Sequence, residues 1–490
     1  MTELSDNERA RWLLAAAGIA LGAAMVVGSL VLLAVAAVFA GLVVAGALPR
    51  GGLTPAIAIG LLWANAAVVT SKQLGAPGVL GLLPHLLLGA VVVGRVVVHR
   101  RPLVVTATFR ALLAYGAVFM ISALAALDAA PVRGAVVILA IEGLLLWFLV
   151  INAIDDQGSL ERVMFALLLV CAFLGVMSII QFATGTYDND YFGFAQVGPS
   201  RLDLLESDKS ALPRLAGSIG EENRYAQSLL VVIPMGVALV RSHRRFRLLA
   251  TGLLVPVVAG VALTGSRGAV VGLAVTIVVM TAMRLITARV VGLLAAIAVS
   301  LVLVIPGYSD RIVNTVAAGL SERSTEEVDS STLSRVTTNL AALNMFEDHL
   351  LLGVGPDGFP ELYERYAERV GLNVKDEARQ PHNLYLGIAT ELGIVGLATF
   401  MVMPLMLLVS LTHSWRALRA FDPSAAAIAA GLVGAIVAYL ASGVFLHLAF
   451  DRYYWTLLAI CDVGARIARR RIGAHEGSGR SNELIVSGAT

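Results

Sequence analysis

Four side chains far apart in the chain, Arg214, Arg267, Arg335 and His382, are of types that together can hold and discharge a diphosphate. An arginine presents a planar fork that matches phosphate oxygens and keeps its charge at any physiological pH. A histidine titrates near neutrality, so it can take a proton from an attacking hydroxyl. As a glycosyl–phosphate bond breaks, negative charge grows on the departing diphosphate. Fixed guanidiniums would stabilise that charge more in the transition state than in the ground state. Arg214 stands in "LPRLAGSIGEENRYAQ", Arg267 in "TGSRGAVVGL", Arg335 in "LSRVTTN" and His382 in "RQPHNLYLGIATELGIVGL".

Each also has a plainer reading. Arg267 at a helix end fits a snorkelling anchor. Asn383 is a favoured N-cap type and Pro381 fits just before a helix start, so the His382-Asn383 pair also fits a cap. Gly353, Gly355 and Gly358 resemble a phosphate loop but lack its lysine, and read as a turn. Glu142, Glu391 and Asp451 fall in or at the ends of apolar runs, where a carboxylate is a functional candidate. Glu391 near Gly393 can instead bond a neighbouring helix, and Arg452 can pair locally with Asp451. Tyr453, Tyr454 and Trp455 read as an interfacial aromatic belt.

The elements that must position these residues are membrane helices. Of the 490 residues 58% are hydrophobic and 14% charged, and the mean hydropathy is +0.82. A soluble interior cannot hide that much apolar surface, whereas a bilayer solvates it. The net charge of +2 gives no reason to expect nucleic acid as a partner. The two cysteines, Cys171 and Cys461, lie in apolar runs and imply neither a disulfide framework nor a metal cage. Spans are expected at 12–27, 30–48, 54–71, 79–98, 106–127, 134–154, 162–183, 225–241, 246–264, 268–284, 289–306, 384–410, 424–449 and 453–468. With that count the arginines of the short loops (Arg9, Arg11, Arg100, Arg101, Arg241, Arg244, Arg245, Arg247, Arg284, Arg289, Arg416, Arg419, Arg466, Arg469 to Arg471) fall on one side. By the positive-inside rule that side is the cytoplasm, with both termini there. Arg214, Arg267, Arg335 and His382 fall on the other.

The expected architecture is therefore all-α, a polytopic transmembrane bundle of about 12 to 14 spans. Residues 1–183 form N-terminal helices and 184–224 an external loop. Residues 225–306 form helices bearing the Ser-Arg-Gly stretch. Residues 307–383 form a large external loop with its own helices, and 384–471 the C-terminal helices. The Gly- and Ser-rich residues 472–490 read as a cytoplasmic disordered tail.

From about 214 to 400 the sequence resembles the O-antigen ligase and polymerase superfamily. "TGSRGAVVGLAV" is similar to the family's Ser-Arg-Gly opening of a span. "SRVTTNLAALNMFEDHLLLGVGPDGF" resembles its loop motif, and "PHNLYLGIATELGIVGL" its His-Asn motif before a span. "RLAGSIGEENRYAQSLLVVIPM" is similar to a fourth, looser signature. The resemblance implies a GT-C-like membrane glycosyltransferase of the plasma (inner) membrane. It would take a glycan from a polyprenyl diphosphate on the external or periplasmic face and pass it, with inversion, to a glycan, glycolipid or protein acceptor. No metal or other cofactor and no nucleotide sugar is implied. Carried over by motif, Arg267 and Arg335 would hold the diphosphate and His382 would activate or orient the acceptor hydroxyl. Arg214, Asn223, Arg379 and Asn383 would bind substrate around them. The motifs do not separate a ligase from a polysaccharide polymerase. A transporter or flippase of lipid-linked glycan, and a non-catalytic glycolipid-binding protein, remain rival readings. The chain departs from the family's usual dozen spans by a couple more.

Overall fold

The structure is a computed structural model. It describes residues 52–74, 81–124, 126, 129–198, 214–242, 246–287, 289, 292, 330–371, 380–448 and 451–487. The spans expected at 12–27 and 30–48, nearly all of that at 289–306, and Arg379 lie outside the described residues.

The described chain is almost wholly helical. Its helices are α1 (Leu53–Trp63), α2 (Ala66–Leu74), α3 (Leu83–Val97), α4 (Ala107–Ala123) and α5 (Ala130–Ala153). They continue as α6 (Gln157–Thr184), α7 (Glu222–Ser242), α8 (Arg247–Leu263) and α9 (Arg267–Ala282). Then come α10 (Ser330–Asp348), α11 (Phe359–Val370), α12 (Leu384–Leu418), α13 (Pro423–Gly443) and α14 (Asp451–Ser487). Among the described residues, α5, α6, α7, α12 and α13 are long and apolar enough to cross a membrane, and α1 and α2, bent by 53° at their junction, reach that length only together, as a broken span or a re-entrant loop. Helices α3, α4, α8 and α9 are shorter but apolar.

Polar residues set where the helices begin. Thr106 caps α4, Asp156 caps α6, Ser266 caps α9 and Asp422 caps α13, each accepting a backbone N–H one turn on. The core lies around α7 and α13, of which 78% of the apolar stretch is buried, against 39% for α5 and α12. The Ala- and Gly-rich sequence of α13 explains its place: small side chains let α7, α9, α12 and α14 pack directly on it. Leu248, Val255, Val278 and Val409 point outward from the bundle, as a lipid-facing surface requires.

Several elements differ from the sequence reading. The span expected at 54–71 breaks at Asn65, which has a φ of 56° and anchors its amide on the Ser218 carbonyl at 2.8 Å. Residues Leu139–Leu145 form a π-helical turn inside α5, and it carries Glu142. Glu142 pairs with Arg452 at 4.0 Å and accepts the Arg452 backbone N–H at 3.3 Å, so Arg452, expected to pair with the adjacent Asp451, reaches a carboxylate on another helix. Tyr453, Tyr454 and Trp455 are core residues rather than an interfacial belt: they are 6%, 1% and 0% exposed and pack on Trp63, Phe400 and Tyr115. Helix α14 continues to Ser487 through the segment whose composition suggested disorder. Arg471 pairs with Asp422, and His475 stacks on Phe421 at 4.0 Å, which pins that extension to the start of α13. A two-stranded antiparallel pair, β1 (Gln196–Val197) with β2 (Leu215–Gly217), lies in a loop that carried no strand pattern.

Helices α10 and α11 form a small cap with its own core of Ala341, Ala342, Met345, Phe359, Tyr363 and Tyr366. The cap docks on a break in α12. At Gly393 the backbone leaves helical geometry, with φ 68° and ψ −173°. The break exposes main-chain groups that the cap satisfies. Val354 donates to the Thr390 carbonyl at 3.1 Å, Gly355 to the Glu391 carbonyl at 3.0 Å, and Ile394 to the Leu350 carbonyl at 2.8 Å. Ser122 of α4 donates to the carbonyls of Leu352 and Glu391 at 2.6 and 2.9 Å. The "LLLGVG" stretch is thus a docking turn.

Candidate functional site

Arg214 precedes β2 and is held in register by the Gly198 N–H on its carbonyl at 3.0 Å. Its guanidinium is committed on three sides. Nε donates to the Thr264 carbonyl at 3.0 Å, Nη2 to Asn223 Oδ1 at 2.9 Å, and Nη1 pairs with Glu222 at 2.7 Å. Arg214 therefore ties the end of α8 to the start of α7. Glu221 caps α7 through the N–H groups of Asn223 and Arg224 and also accepts from the Asn223 side chain at 2.9 Å. Asn223, singled out from the sequence, is thus spent on both ends, linking Arg214 to Glu221.

Arg267 is the first residue of α9, exposed at its mouth directly after the Ser266 cap. Arg335 is half-buried on α10. The charges of both reach Arg214. Burial lowers the pKa of Arg214 from its ordinary value, Glu222 raises it, and Arg335, then Arg267, press it down as like charges. An arginine starts so far above neutrality that it keeps its proton under this pressure. Arg335 on the cap and Arg267 at the head of a span therefore each lie within electrostatic reach of Arg214 in the loop.

His382 precedes α12. Its backbone N–H donates to Asn339 Oδ1 at 3.1 Å, and Asn339 lies one helical turn beyond Arg335 on α10. Asn383 caps α12, its oxygen accepting from Tyr385 and Leu386 at 3.0 and 3.1 Å, so the capping reading describes what that side chain does. Gln380 donates to Asp357 in the cap turn at 3.1 Å.

Two further residues join this ring, and the sequence reading passed over both. The imidazole of His447, in the turn after α13, meets that of His382 edge-on, with centroids 6.3 Å apart. Arg224, 6% exposed, donates to the His447 carbonyl at 2.8 Å and lies 3.7 Å from Glu221. Burial pushes the pKa of His447 down to about 2, helped by the nearby charges of Arg224 and His382. It is a neutral imidazole at any physiological pH. The signal for it was a lone histidine in "VFLHLAF", at the end of an apolar run.

The polar ring and the basic loops occupy opposite ends of the same helices. Helix α7 starts at Glu222 in the ring and ends beside Arg241, which donates to the Arg284 carbonyl just past α9 at 3.1 Å. At that basic end Arg95 pairs with Asp155 at 2.9 Å, Arg101 joins the same carboxylate, and Arg466 caps the Ile154 carbonyl.

No curated protein matches the chain. Residues 252–401 match the model of the family described as O-antigen ligase, and that stretch holds Arg267, Arg335 and His382. That stretch is thus similar to the O-antigen ligase family, and it sits in a bundle whose helices include several long and apolar enough to cross a membrane.

Proposed function

We propose that the protein is a membrane glycosyltransferase that moves a glycan from a polyprenyl diphosphate carrier to an acceptor hydroxyl. The observation that carries this reading is that the His382 loop is tied to α10 one turn from Arg335, whose charge, like that of Arg267, reaches Arg214. A diphosphate is the ligand that arginines whose charges reach a common neighbour would hold, and a hydroxyl is what a histidine there would deprotonate.

In this mechanism Arg267 and Arg335 hold the diphosphate, with Arg214 fixed behind them. The acceptor oxygen attacks the anomeric carbon on the face opposite the diphosphate, and configuration inverts. The bond between that carbon and the phosphate oxygen breaks, and its electron pair stays on the departing oxygen. The acceptor proton passes to a ring nitrogen of His382. The arginines are in place before charge develops, so they need not reorganise when it does.

The separation of the ring from the basic loops supports a site on the external face of the plasma membrane, by the positive-inside rule. The test is purified protein in vesicles with labelled polyprenyl-diphosphate glycan and a candidate glycan, glycolipid or protein acceptor. Release of free polyprenyl diphosphate together with a glycosylated acceptor is the expected result. Flux of intact donor across the vesicle without release would make the protein a transporter instead. Stranded long chains in a deletion strain would mark a ligase, and single repeats a polymerase.

A further inference from the structure

We infer that Asn339 is a positioning residue that sets His382 opposite Arg335; the inference rests on the catalytic reading above. Arg335 and Asn339 sit four residues apart on α10, hence on one face, one turn from each other. The cap offers that face to the loop before α12, and the contact there runs through Asn339 Oδ1 and the His382 backbone N–H at 3.1 Å. This bond fixes the main chain of the histidine.

The rotation of α10 does not depend on Asn339. The cap core of Ala341, Ala342 and Met345 holds it, and Thr390 Oγ1 of α12 donates to the Ala342 carbonyl at 3.1 Å. Asn383 holds the first turn of α12 separately. Between these two fixed bodies the segment before α12 is tied to the cap twice, by Gln380 to Asp357 and by the His382 N–H to Asn339, and the second tie is the one at the histidine itself. On the other side the His447 ring meets the His382 ring. The cap thus delivers both the arginine for the diphosphate and the oxygen that places the base. Their spacing is set by a single helical turn.

The experiment compares Asn339→Leu, which keeps the volume and removes the acceptor, with Asn339→Asp, which keeps an acceptor oxygen. In the labelled-donor release assay N339L is expected to lose about 10- to 100-fold in kcat, the scale of a small misplacement. Donor KM and melting temperature should stay at wild-type values. N339D should recover part of the loss. In hydrogen exchange of purified protein, the His382 amide should lose protection in N339L while 341–345 keep theirs. Unchanged kcat in N339L alongside an active wild type overturns the inference and leaves the glycosyltransferase reading standing. An equal loss of melting temperature and of protection at 341–345 overturns it in favour of a scaffold role. If the wild type releases no polyprenyl diphosphate, the function reading fails; the His382 amide then decides the tether alone, and unchanged protection in N339L refutes it.

Discussion

Gly353 and Gly393 hold the cap against the bundle by letting two backbones meet. A Cβ on Gly353 would lie 2.3 Å from the Glu391 carbonyl carbon, and one on Gly393 would lie 2.1 Å from the Leu351 oxygen. Both residues also have a φ of 68°. Gly393→Ala is therefore expected to unseat the cap, through about 1–3 kcal/mol of backbone strain and the loss of the main-chain bonds around it. Limited proteolysis should open residues 330–371 while the helices of the bundle stay protected. Activity should fall with the cap.

The three arginines are expected to respond unequally to substitution by lysine. Arg335→Ala and Arg267→Ala should each lower kcat in the release assay by about 10²–10³-fold, the scale for removing one preorganised donor. Lysine restores charge but not the fork, so recovery should be partial. Arg214→Lys should recover least, because Thr264, Asn223 and Glu222 use three different nitrogens of its guanidinium.

His447 makes a pH prediction. Its pKa in the fold, about 2, lies below the ordinary 6.5. The unfolded chain thus binds the extra proton first, and the contribution of this group to stability falls as pH drops below about 6.5. At pH 5 the difference amounts to about 2 kcal/mol. Melting of the wild type in detergent should drop more steeply between pH 7 and pH 5 than that of His447→Gln. Parallel curves for the two proteins would refute the assignment of a neutral buried imidazole.

Asp422 offers a control at the far end of the bundle. It caps α13 through the Ala425 N–H at 3.0 Å and pairs with Arg471 on the extension of α14. Asp422→Ala should cost about 1 kcal/mol as a lost cap and raise hydrogen exchange over 472–487. Release activity should be unchanged, since the polar ring lies at the other end of α13.

The all-helical architecture, and the places of Arg267 and His382 at the heads of helices, were legible because each rests on a local signal. Arg267 follows a Ser cap at the head of an apolar run, and His382-Asn383 stands at the head of another. Asn223 and Arg214 could be named, but not their bonds to each other, to Glu221 and to Thr264, which depend on three separate elements meeting. Arg224 and His447 were missed because their partners lie 223 residues apart in the chain. The breaks at Asn65 and Gly393 and the π-turn around Glu142 were illegible for another reason. Apolar composition reports that a segment enters the membrane but not whether its ladder of hydrogen bonds is continuous. Tyr453, Tyr454 and Trp455 misled in the same way: an aromatic triplet suits an interface, and only the packing of α14 against α5 and α12 turns it inward.

The seam between cap and bundle is stitched largely by peptide groups, which are the same in every residue. Apart from its glycines and the side chains of Ser122, Asn339, Asp357, Gln380 and Thr390, such a joint is little dependent on side-chain identity. The outward surface of α10 and α11 is therefore at liberty to drift in shape and charge without shifting Arg335 from its post. A scaffold of this kind can be retuned toward a new incoming partner while the anion-holding machinery beneath it stays where it was.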